Sequence, residues 1–346
     1  MKSVRTAKAA SSSSRTTRTL SRRRSAAPHP LSRGHLLTEL ANPQTRRLDV
    51  LPLGKAFDLM NAEDRRVPAA VARAKRDIVR CIKLVSAAWR KGGRLIYIGA
   101  GTSGRLGVLD AAECPPTFRS DPAMVRGVIA GGRKALWRSI EGAEDDPAAA
   151  RGELRKLKVG HRDVVMGIAT GGTTPYVHAA LAEARRRGAA TVFFACVPRS
   201  QVKAQCDVDI RVLTGPEVLT GSTRLKAGTA TKLVLNMITT LSMVRIGKTF
   251  GNLMVDLNTY ACRKLVDRAV RVVVEATGLD YGEASRRLHD ARGEAKTAIV
   301  AHYARCSPRE ARRMLDRHGN RIAAVLGTPR GPLRPGRRDG QCRNER

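Results

Sequence analysis

Two glutamates stand in segments that could perform acid–base chemistry. Glu113 precedes Cys-Pro-Pro, and Glu144 is the second glutamate of Glu141-Gly-Ala-Glu. Two carboxyl groups can remove a proton at one atom and deliver a proton to a leaving group at another. The double proline predicts a rigid turn directly after a helix, which would hold Glu113 in place. The acids around Glu144 could instead cap the helix that follows.

A glycine-rich turn places two hydroxyl groups beside backbone N–H donors. The segment Gly99-Ala-Gly-Thr-Ser-Gly104 follows a predicted buried strand and precedes a predicted helix. N–H groups at a helix N-terminus favour an anion, so this turn suits a phosphate monoester. A turn that needs glycine only for its conformation is the alternative. The candidate binding residues are Gly101, Thr102, Ser103 and Gly104.

The same six residues match G-x-G-x-x-G, the fingerprint of a dinucleotide site. Such a site also needs an Asp or Glu at the end of the next strand, about 20 residues on, to hold the ribose hydroxyls. The next predicted strand ends in Val128-Ile-Ala-Gly-Gly132, without a carboxylate. The sequence therefore argues against a nicotinamide dinucleotide.

Two further segments combine glycine with hydroxyl groups. Thr170-Gly-Gly-Thr-Thr-Pro175 follows a predicted strand, and Thr220-Gly-Ser-Thr-Arg-Leu-Lys226 stands where a long helix begins. Parallel sheets bind ligands at the carboxyl ends of their strands, so we interpret the first two segments as two walls of one pocket for an anion and the third as a further candidate. Each segment alone could be simple capping. The added candidates are Gly172, Thr173, Thr174, Ser222, Thr223, Arg224 and Lys226.

Cysteine and histidine are dispersed along the chain. The seven Cys and seven His form no C-x-x-C, H-x-x-x-H or H-E-x-x-H pattern, so no metal site is predicted. Scattered thiols fit a reducing compartment, and no apolar run approaches the roughly 18 residues of a membrane span. We expect a cytoplasmic protein with no membrane segment.

Strand-like and helical patterns alternate as far as Arg245. This alternation predicts an α/β fold, a doubly wound parallel sheet with helices on both faces. The predicted strands cover 94–99, 124–130, 163–169, 190–196 and 208–213. The helical patterns before Asn258 cover 67–89, the segment from about Ser103, 175–187 and 223–245.

Beyond Asn258 the pattern becomes all-helical. Helices are predicted over 262–277, 281–291 and 307–318, and Ser307-Pro-Arg-Glu310 is a capping box with Gly319 as a stop. These observations predict a small helical C-terminal domain. The expected organisation is a disordered basic tail over 1–36, an α/β domain over 37–258, a helical domain over 259–326 and a second basic tail over 327–346.

The charge balance is strongly basic. The 346 residues include 64 Lys and Arg against 30 Asp and Glu, which gives a net charge of +34 and favours anionic ligands. Aromatic residues make up only 3% of the chain, which argues against nucleic-acid binding by base stacking. Residues 1–36 contain no acid and resemble an organellar transit peptide. A disordered bacterial extension or an over-called start site is the alternative.

Long motifs resemble the N-acetylmuramic acid 6-phosphate etherases. The matching segments are 99–117, 141–145, 215–229 and 250–256, and the resemblance runs from Leu37 to Gly319. This family belongs to the sugar-isomerase-domain group and is related to glucokinase regulatory protein. The resemblance implies that 37–258 is a sugar-isomerase-type phosphosugar-binding domain.

The resemblance also implies an activity. Members of the family are cofactor-independent carbon–oxygen lyases, usually homodimers, that release D-lactate from N-acetylmuramate 6-phosphate in cell-wall recycling. The glutamate of Glu-Cys-Pro-Pro is their proton donor, here Glu113. The second glutamate of Glu-Gly-Ala-Glu is their base, here Glu144.

One position departs from the family pattern. Where the family usually has a serine in the second glycine-rich segment, this chain has Gly171. The lost hydroxyl could weaken substrate binding unless Thr170 or Thr173 replaces it. A noncatalytic phosphosugar-sensing regulatory protein is the alternative function, an aldose–ketose isomerase is a third, and specific nucleic-acid binding is not expected.

Overall fold

Five parallel strands form the sheet that carries the predicted turns. The computed structural model describes residues 33–257 and 263–327. The strands are β1 (Leu95–Gly99), β2 (Val125–Ile129), β3 (Val164–Ile168), β4 (Ala190–Ala195) and β5 (Val208–Arg211). They pair in the order β2-β1-β3-β4-β5. Each strand lies within a predicted one, and the predicted doubly wound parallel sheet is confirmed.

The order of the strands reverses between β1 and β3. From β1 the chain moves outward to β2, then returns to add β3 on the other side of β1. Gly99, the last residue of β1, lies opposite Ile168, the last residue of β3. The segments that leave these neighbouring strands therefore diverge at one edge of the sheet, which is where α/β sheets bind ligands.

Alternating side chains place apolar cores on both faces of the sheet. Leu95 and Tyr97 point into a core on one face, while Ile96 and Ile98 point into the other. This period of two buries both faces of a parallel strand. The helices around the sheet are α1 (Leu53–Asp64), α2 (Val67–Arg73), α3 (Lys75–Arg90), α4 (Gly101–Phe118), α5 (Pro147–Lys156), α6 (Pro175–Arg186) and α7 (Lys226–Arg245).

Three helix predictions need correction. The single helix predicted over 67–89 is broken at Ala74, whose φ of −87° and ψ of 5° leave the helical region. The apolar period continues through this one-residue break, so periodicity alone could not find it. The helix predicted from Thr223 begins at Lys226, and the helix predicted from about Ser103 begins at Gly101.

The double proline does not form a turn after α4. Pro115 and Pro116 lie inside the helix, which ends at Phe118 and is followed by Arg119 in the left-handed region (φ 47°). Proline fixes φ near the helical value, and the buried Cys114 and Phe118 hold this last turn in the core. Glu113 therefore belongs to α4 itself.

The C-terminal helices surround a third apolar core. The predicted capping box is confirmed, because the Ser307 hydroxyl and the Glu310 carboxylate bond each other's backbone N–H groups. Helix α10 (Ala295–Ala304), one of the helices that the sequence did not predict, is buried from Ala295 to Ala301 and so lacks an amphipathic period. The elements are β6 (Thr249–Phe250), β7 (Leu253–Met254), α8 (Arg263–Thr277), α9 (Tyr281–Asp290), α10 (Ala295–Ala304), α11 (Pro308–Arg317) and α12 (Ile322–Leu326).

Some predictions fall outside the described residues. These are most of both predicted tails, the predicted domain boundary at 258/259 and the predicted helix start at Cys262. Leu36, the last residue of the predicted N-terminal tail, is fully buried. Within the described ranges, every helix is too short or too polar to cross a membrane.

The close approach of α4 to β2 allows a stability test. A Cβ on Gly127 would lie 2.5 Å from the Val108 Cα, so the helix or the strand would have to move. We expect Gly127→Ala to lower the free energy of unfolding by about 1–3 kcal/mol in denaturant titrations. The control is Gly152→Ala in α5, where the added Cβ meets no atom within 4 Å and helix propensity should raise stability slightly. Equal effects of the two substitutions would contradict this packing.

Candidate active site

The first glycine-rich segment connects β1 directly to α4. Gly101 has a φ of +52°, and a Cβ on Gly104 would lie 2.7 Å from the Gly99 carbonyl oxygen. Both positions therefore require glycine. Among the described residues no side chain caps this end of α4, so its first N–H groups are available to an anion. Thr102 is half-buried and Ser103 is buried beside them.

A cavity of about 260 Å³ brings this turn together with Glu144. Its wall includes Gly101 at the start of α4 and, opposite, the segment from Ser139 to Asp145. Arg105, one turn into α4, also lines the cavity and donates from Nε to the Leu136 carbonyl (3.3 Å). The predicted base and the predicted anion turn thus share one cavity.

Glu113 lies at the other end of α4. It follows Gly101 by twelve residues in the same helix, which separates the two by about 18 Å along the helix axis. Glu113 is exposed and does not line the cavity of Glu144 in the described part of the chain. A single chain therefore does not bring the two predicted catalytic carboxyl groups to one cavity.

The second glycine-rich segment is fixed by α6. Gly172 has a φ of +84°, and His178 donates from Nε2 to its carbonyl (2.7 Å). The Thr170 carbonyl accepts from the Cys196 backbone N–H, which ties the segment to the strand edge. Thr173 and Thr174 are half-buried, and the Thr174 hydroxyl does not cap α6. The hydroxyl groups of both threonines thus remain candidates for a ligand.

The third segment lies beside the first. A Cβ on Gly228, near the start of α7, would be 3.7 Å from the Thr102 methyl group, so the N-termini of α4 and α7 are adjacent. Ser222 and Thr223 precede α7 and are half-buried, and Arg224 is exposed. The three predicted segments therefore gather at one edge of the sheet, with the first beside the start of the helix that follows the third.

Lys226, a predicted substrate contact, is enclosed by protein. It is 1% exposed, and its ammonium forms an ion pair with the Glu63 carboxylate of α1. Glu63 also accepts hydrogen bonds from Arg66 (2.8 Å) and from the Asn42 amide (3.0 Å). The structure places the Lys226 ammonium inside this network, so its predicted contact with substrate remains a prediction.

A second buried carboxylate, that of Glu217, caps the helix that follows the third segment. Glu217 accepts hydrogen bonds from the backbone N–H groups of Lys226 (3.0 Å) and Ala227 (2.9 Å), which caps α7 from nine residues upstream. Burial raises the pKa of Glu217 despite these bonds. Burial would also raise the pKa of Glu63, but hydrogen bonds from Lys226 and Arg66 hold it below its usual value.

Sequence reasoning missed Arg105, Glu63 and Glu217. Only Glu63 had a usable signal in the sequence. Its partner Lys226 falls in a mostly apolar predicted helix, and a buried lysine requires a carboxylate. The acids near Glu144 behave as predicted in one respect: Asp146 caps α5 by accepting from Ala148 and Ala149 N–H groups. Among the described residues no group of three His, Cys, Asp or Glu could hold a metal ion.

Two family models match the α/β part of the chain. The N-terminal sugar-isomerase (SIS) domain of glucokinase regulatory protein matches residues 77–185, and the general SIS domain matches residues 149–241. These ranges contain the first two glycine-rich segments, and the SIS range extends through the third.

Curated relatives match over almost their full length. The N-acetylmuramic acid 6-phosphate etherase of Synechocystis is 51% identical over 85% of this chain and 96% of its own. The same enzymes of Crocosphaera subtropica and Gloeobacter violaceus are 50% and 52% identical over the same shares. The chain belongs to the N-acetylmuramic acid 6-phosphate etherase family. The family resemblance noted from the motifs is thereby confirmed.

The buried ion pair between Glu63 and Lys226 allows a second test. Glu63→Gln leaves the Lys226 ammonium without its counter-charge, so we expect the free energy of unfolding at neutral pH to fall by about 3 kcal/mol or more. The control Glu153→Gln breaks the exposed Glu153–Lys156 pair and should change stability by less than about 0.5 kcal/mol.

The same pair has a defined pH dependence. The pKa of Glu63 is lowered in the folded chain, so its contribution is complete above the ordinary glutamate pKa and is lost as pH falls through the folded value. The stability difference between wild type and Glu63→Gln should therefore shrink in acid. A difference that stays constant down to the acid limit of folding would contradict the charge-pair assignment.

Proposed function

We propose that this chain releases D-lactate from N-acetylmuramate 6-phosphate and leaves N-acetylglucosamine 6-phosphate, in the cytoplasm and without a cofactor. The observation that carries the proposal is the cavity shared by Glu144 and the N-terminus of α4. It combines a carboxylate with backbone donors suited to the charged part of a phosphosugar. The family membership supports the same substrate.

Glu144 is the proposed base. In the open-chain sugar the C2 proton is acidic because it stands next to the C1 aldehyde, and the lactyl ether at C3 is the leaving group. Removal of that proton and departure of the ether oxygen form a C2–C3 double bond. Glu113 protonates the departing oxygen, which leaves as D-lactate, and water then adds across the double bond. Glu144 is exposed at the cavity wall, where a substrate can reach it.

The length of α4 requires a second copy for this mechanism. An acid about 18 Å along the helix from Gly101 cannot reach a substrate held at that turn. We infer that the active form is a homodimer in which Glu113 of one copy serves the Glu144 cavity of the other. A two-fold axis across α4 would set the two α4 helices antiparallel and so bring each Glu113 to the start of the opposite helix.

An apolar surface on α4 and α7 supports this interface. Leu109, one turn before Glu113, is 43% exposed, and the neighbouring α7 exposes Met237, Leu241 and Val244 at helical spacing. The two helices are fixed to each other by a buried hydrogen bond from the Thr239 hydroxyl to Asp110 (3.1 Å). Burial of these side chains against a second copy would remove apolar area from water at the place where Glu113 is needed.

The glycine-rich segments are the proposed substrate-binding walls. We assign the phosphate and sugar hydroxyls to Thr102, Ser103, Thr173 and Ser222 together with the α4 N–H groups. Gly171 is buried, so a serine there would have little open surface, and the half-buried Thr173 is the hydroxyl that we propose in its place. Arg105 adds a cation that the sequence did not single out.

Single substitutions test the two roles. We expect Glu113→Gln and Glu144→Gln each to lower kcat for D-lactate release by about a hundredfold or more, because each removes one proton-transfer step. Both variants should still bind the phosphosugar in calorimetry, since neither side chain supplies the anion donors. Glu141→Gln, in the same cavity wall, is the matched control. Binding without lactate release by wild type would reject the activity and favour a phosphosugar sensor.

Mixed dimers test the shared site. Coexpressed Glu113→Gln and Glu144→Gln chains would form dimers of which half contain both variants, and each of these has one intact site. We therefore expect about a quarter of wild-type activity to return, although each variant alone is inactive. No return of activity in a verified mixed dimer would show that both carboxyl groups act within one chain.

A further inference from the structure

A second cavity lies among the C-terminal helices. A recess of about 180 Å³ adjoins a wider cleft of about 740 Å³, and Arg119, Glu294 and Arg312 line both. In the described part of the chain, none of their lining residues contributes to the cavity of Glu144. Within one chain, this space is therefore separate from the cavity of Glu144.

The recess is built around one carboxylate shared by two ammonium groups. The same Asp256 oxygen, Oδ2, lies 3.0 Å from the Lys248 Nζ and 2.8 Å from the Lys296 Nζ. Lys296 is only 2% exposed, and the other two side chains are largely buried. Lys248, Lys296 and Asp256 together therefore carry one excess positive charge in a largely buried position. Such a charge is costly in free energy unless an anion balances it.

Both ammonium groups keep a donor for a ligand. Lys296 donates to Asp256 and to the Asn320 carbonyl (3.0 Å), whereas Lys248 forms an ion pair with Asp256 and donates to the Arg119 carbonyl (3.4 Å). An ammonium has three N–H groups. Among the described residues each lysine thus has one N–H left over, and both lysines line the same recess.

The electrostatics of Lys296 agree with this arrangement. Burial lowers its pKa and outweighs the opposing effect of Asp256, and the nearby positive charges of Lys248 and Arg312 lower it further. The carboxylate therefore does not fully compensate the positive charge of Lys296. An anion in the recess would stabilise the charged form.

The wider cleft leads to the recess past several arginines. Arg312 is held in place by Asp316 (2.8 Å) and by the Asn320 side chain (2.6 Å), so its guanidinium is positioned beside the recess. Guanidinium groups bind phosphate through two parallel hydrogen bonds. The arginines that line the cleft are Arg119, Arg292, Arg309, Arg312 and Arg313, against the acids Asp290 and Glu294.

We propose that the recess and cleft bind the phosphate group of a small phosphorylated molecule, at a site separate from the Glu144 cavity of the same chain. A phosphate monoester has three terminal oxygens, enough to accept from both lysines and from an arginine at once, whereas a carboxylate has two. The recess takes the phosphate and the cleft has room for the organic part. This proposal does not depend on the etherase activity.

The test is calorimetric titration of the full chain with inorganic phosphate, at an ionic strength held constant with KCl. Lys248→Met and Arg309→Ala should raise the phosphate dissociation constant of this site about tenfold or more, because each removes a charge-assisted donor. Arg286→Ala removes an equal charge from an exposed position of α9 outside the cleft and should change nothing. Thr102→Val, at the Glu144 cavity, should also leave this site intact.

Several results would overturn the proposal. These are unchanged phosphate binding in both Lys248→Met and Arg309→Ala, complete loss of phosphate binding in Thr102→Val, and binding of acetate as tight as that of phosphate. Arg309 is exposed, so its substitution keeps the test valid if Lys248→Met fails to fold.

Discussion

The close packing of α4 on β1 and β2 is the constraint on which the rest of the site depends. Glycines make it possible: a Cβ on Gly104, Gly107 or Gly127 would overlap the neighbouring element. With these contacts α4 starts at the carboxyl edge of the sheet and packs along the sheet over its length. Its N-terminus offers donors to an anion, and its far end carries Glu113. One helix therefore fixes two positions of the proposed site about 18 Å apart.

Buried carboxylates hold the other parts of the site against this helix. Glu217 caps α7 and Glu63 pairs with Lys226, so the segment that precedes α7 is tied both to itself and to α1. The His178 bond to the Gly172 carbonyl plays a similar part for the second segment. Among the described residues, these contacts do not use the hydroxyl groups of the segments, which are therefore available to the proposed phosphosugar.

The excess of positive charge has different structural meanings in different places. At Lys226 the cation is neutralised inside the protein by Glu63. At Lys248 and Lys296 one carboxylate serves two cations, so a positive charge remains. Net charge alone suggested anionic ligands but could not separate these cases, because the separation depends on which carboxylate lies nearby.

The sequence by itself determined the five strands of the parallel sheet, the glycine-rich segments and the capping box at Ser307, because these depend on local patterns of burial, backbone conformation and capping. It also determined the family, because the family motifs are recognised from the order of the residues alone. Only the tertiary structure decided that Pro115 and Pro116 continue α4, that α10 is a helix and that Lys226 pairs with Glu63. It also showed that Glu113 lies near the C-terminal end of α4, whereas Glu144 lines a cavity at the N-terminus of that helix. Such facts depend on contacts between distant segments, which no local pattern records.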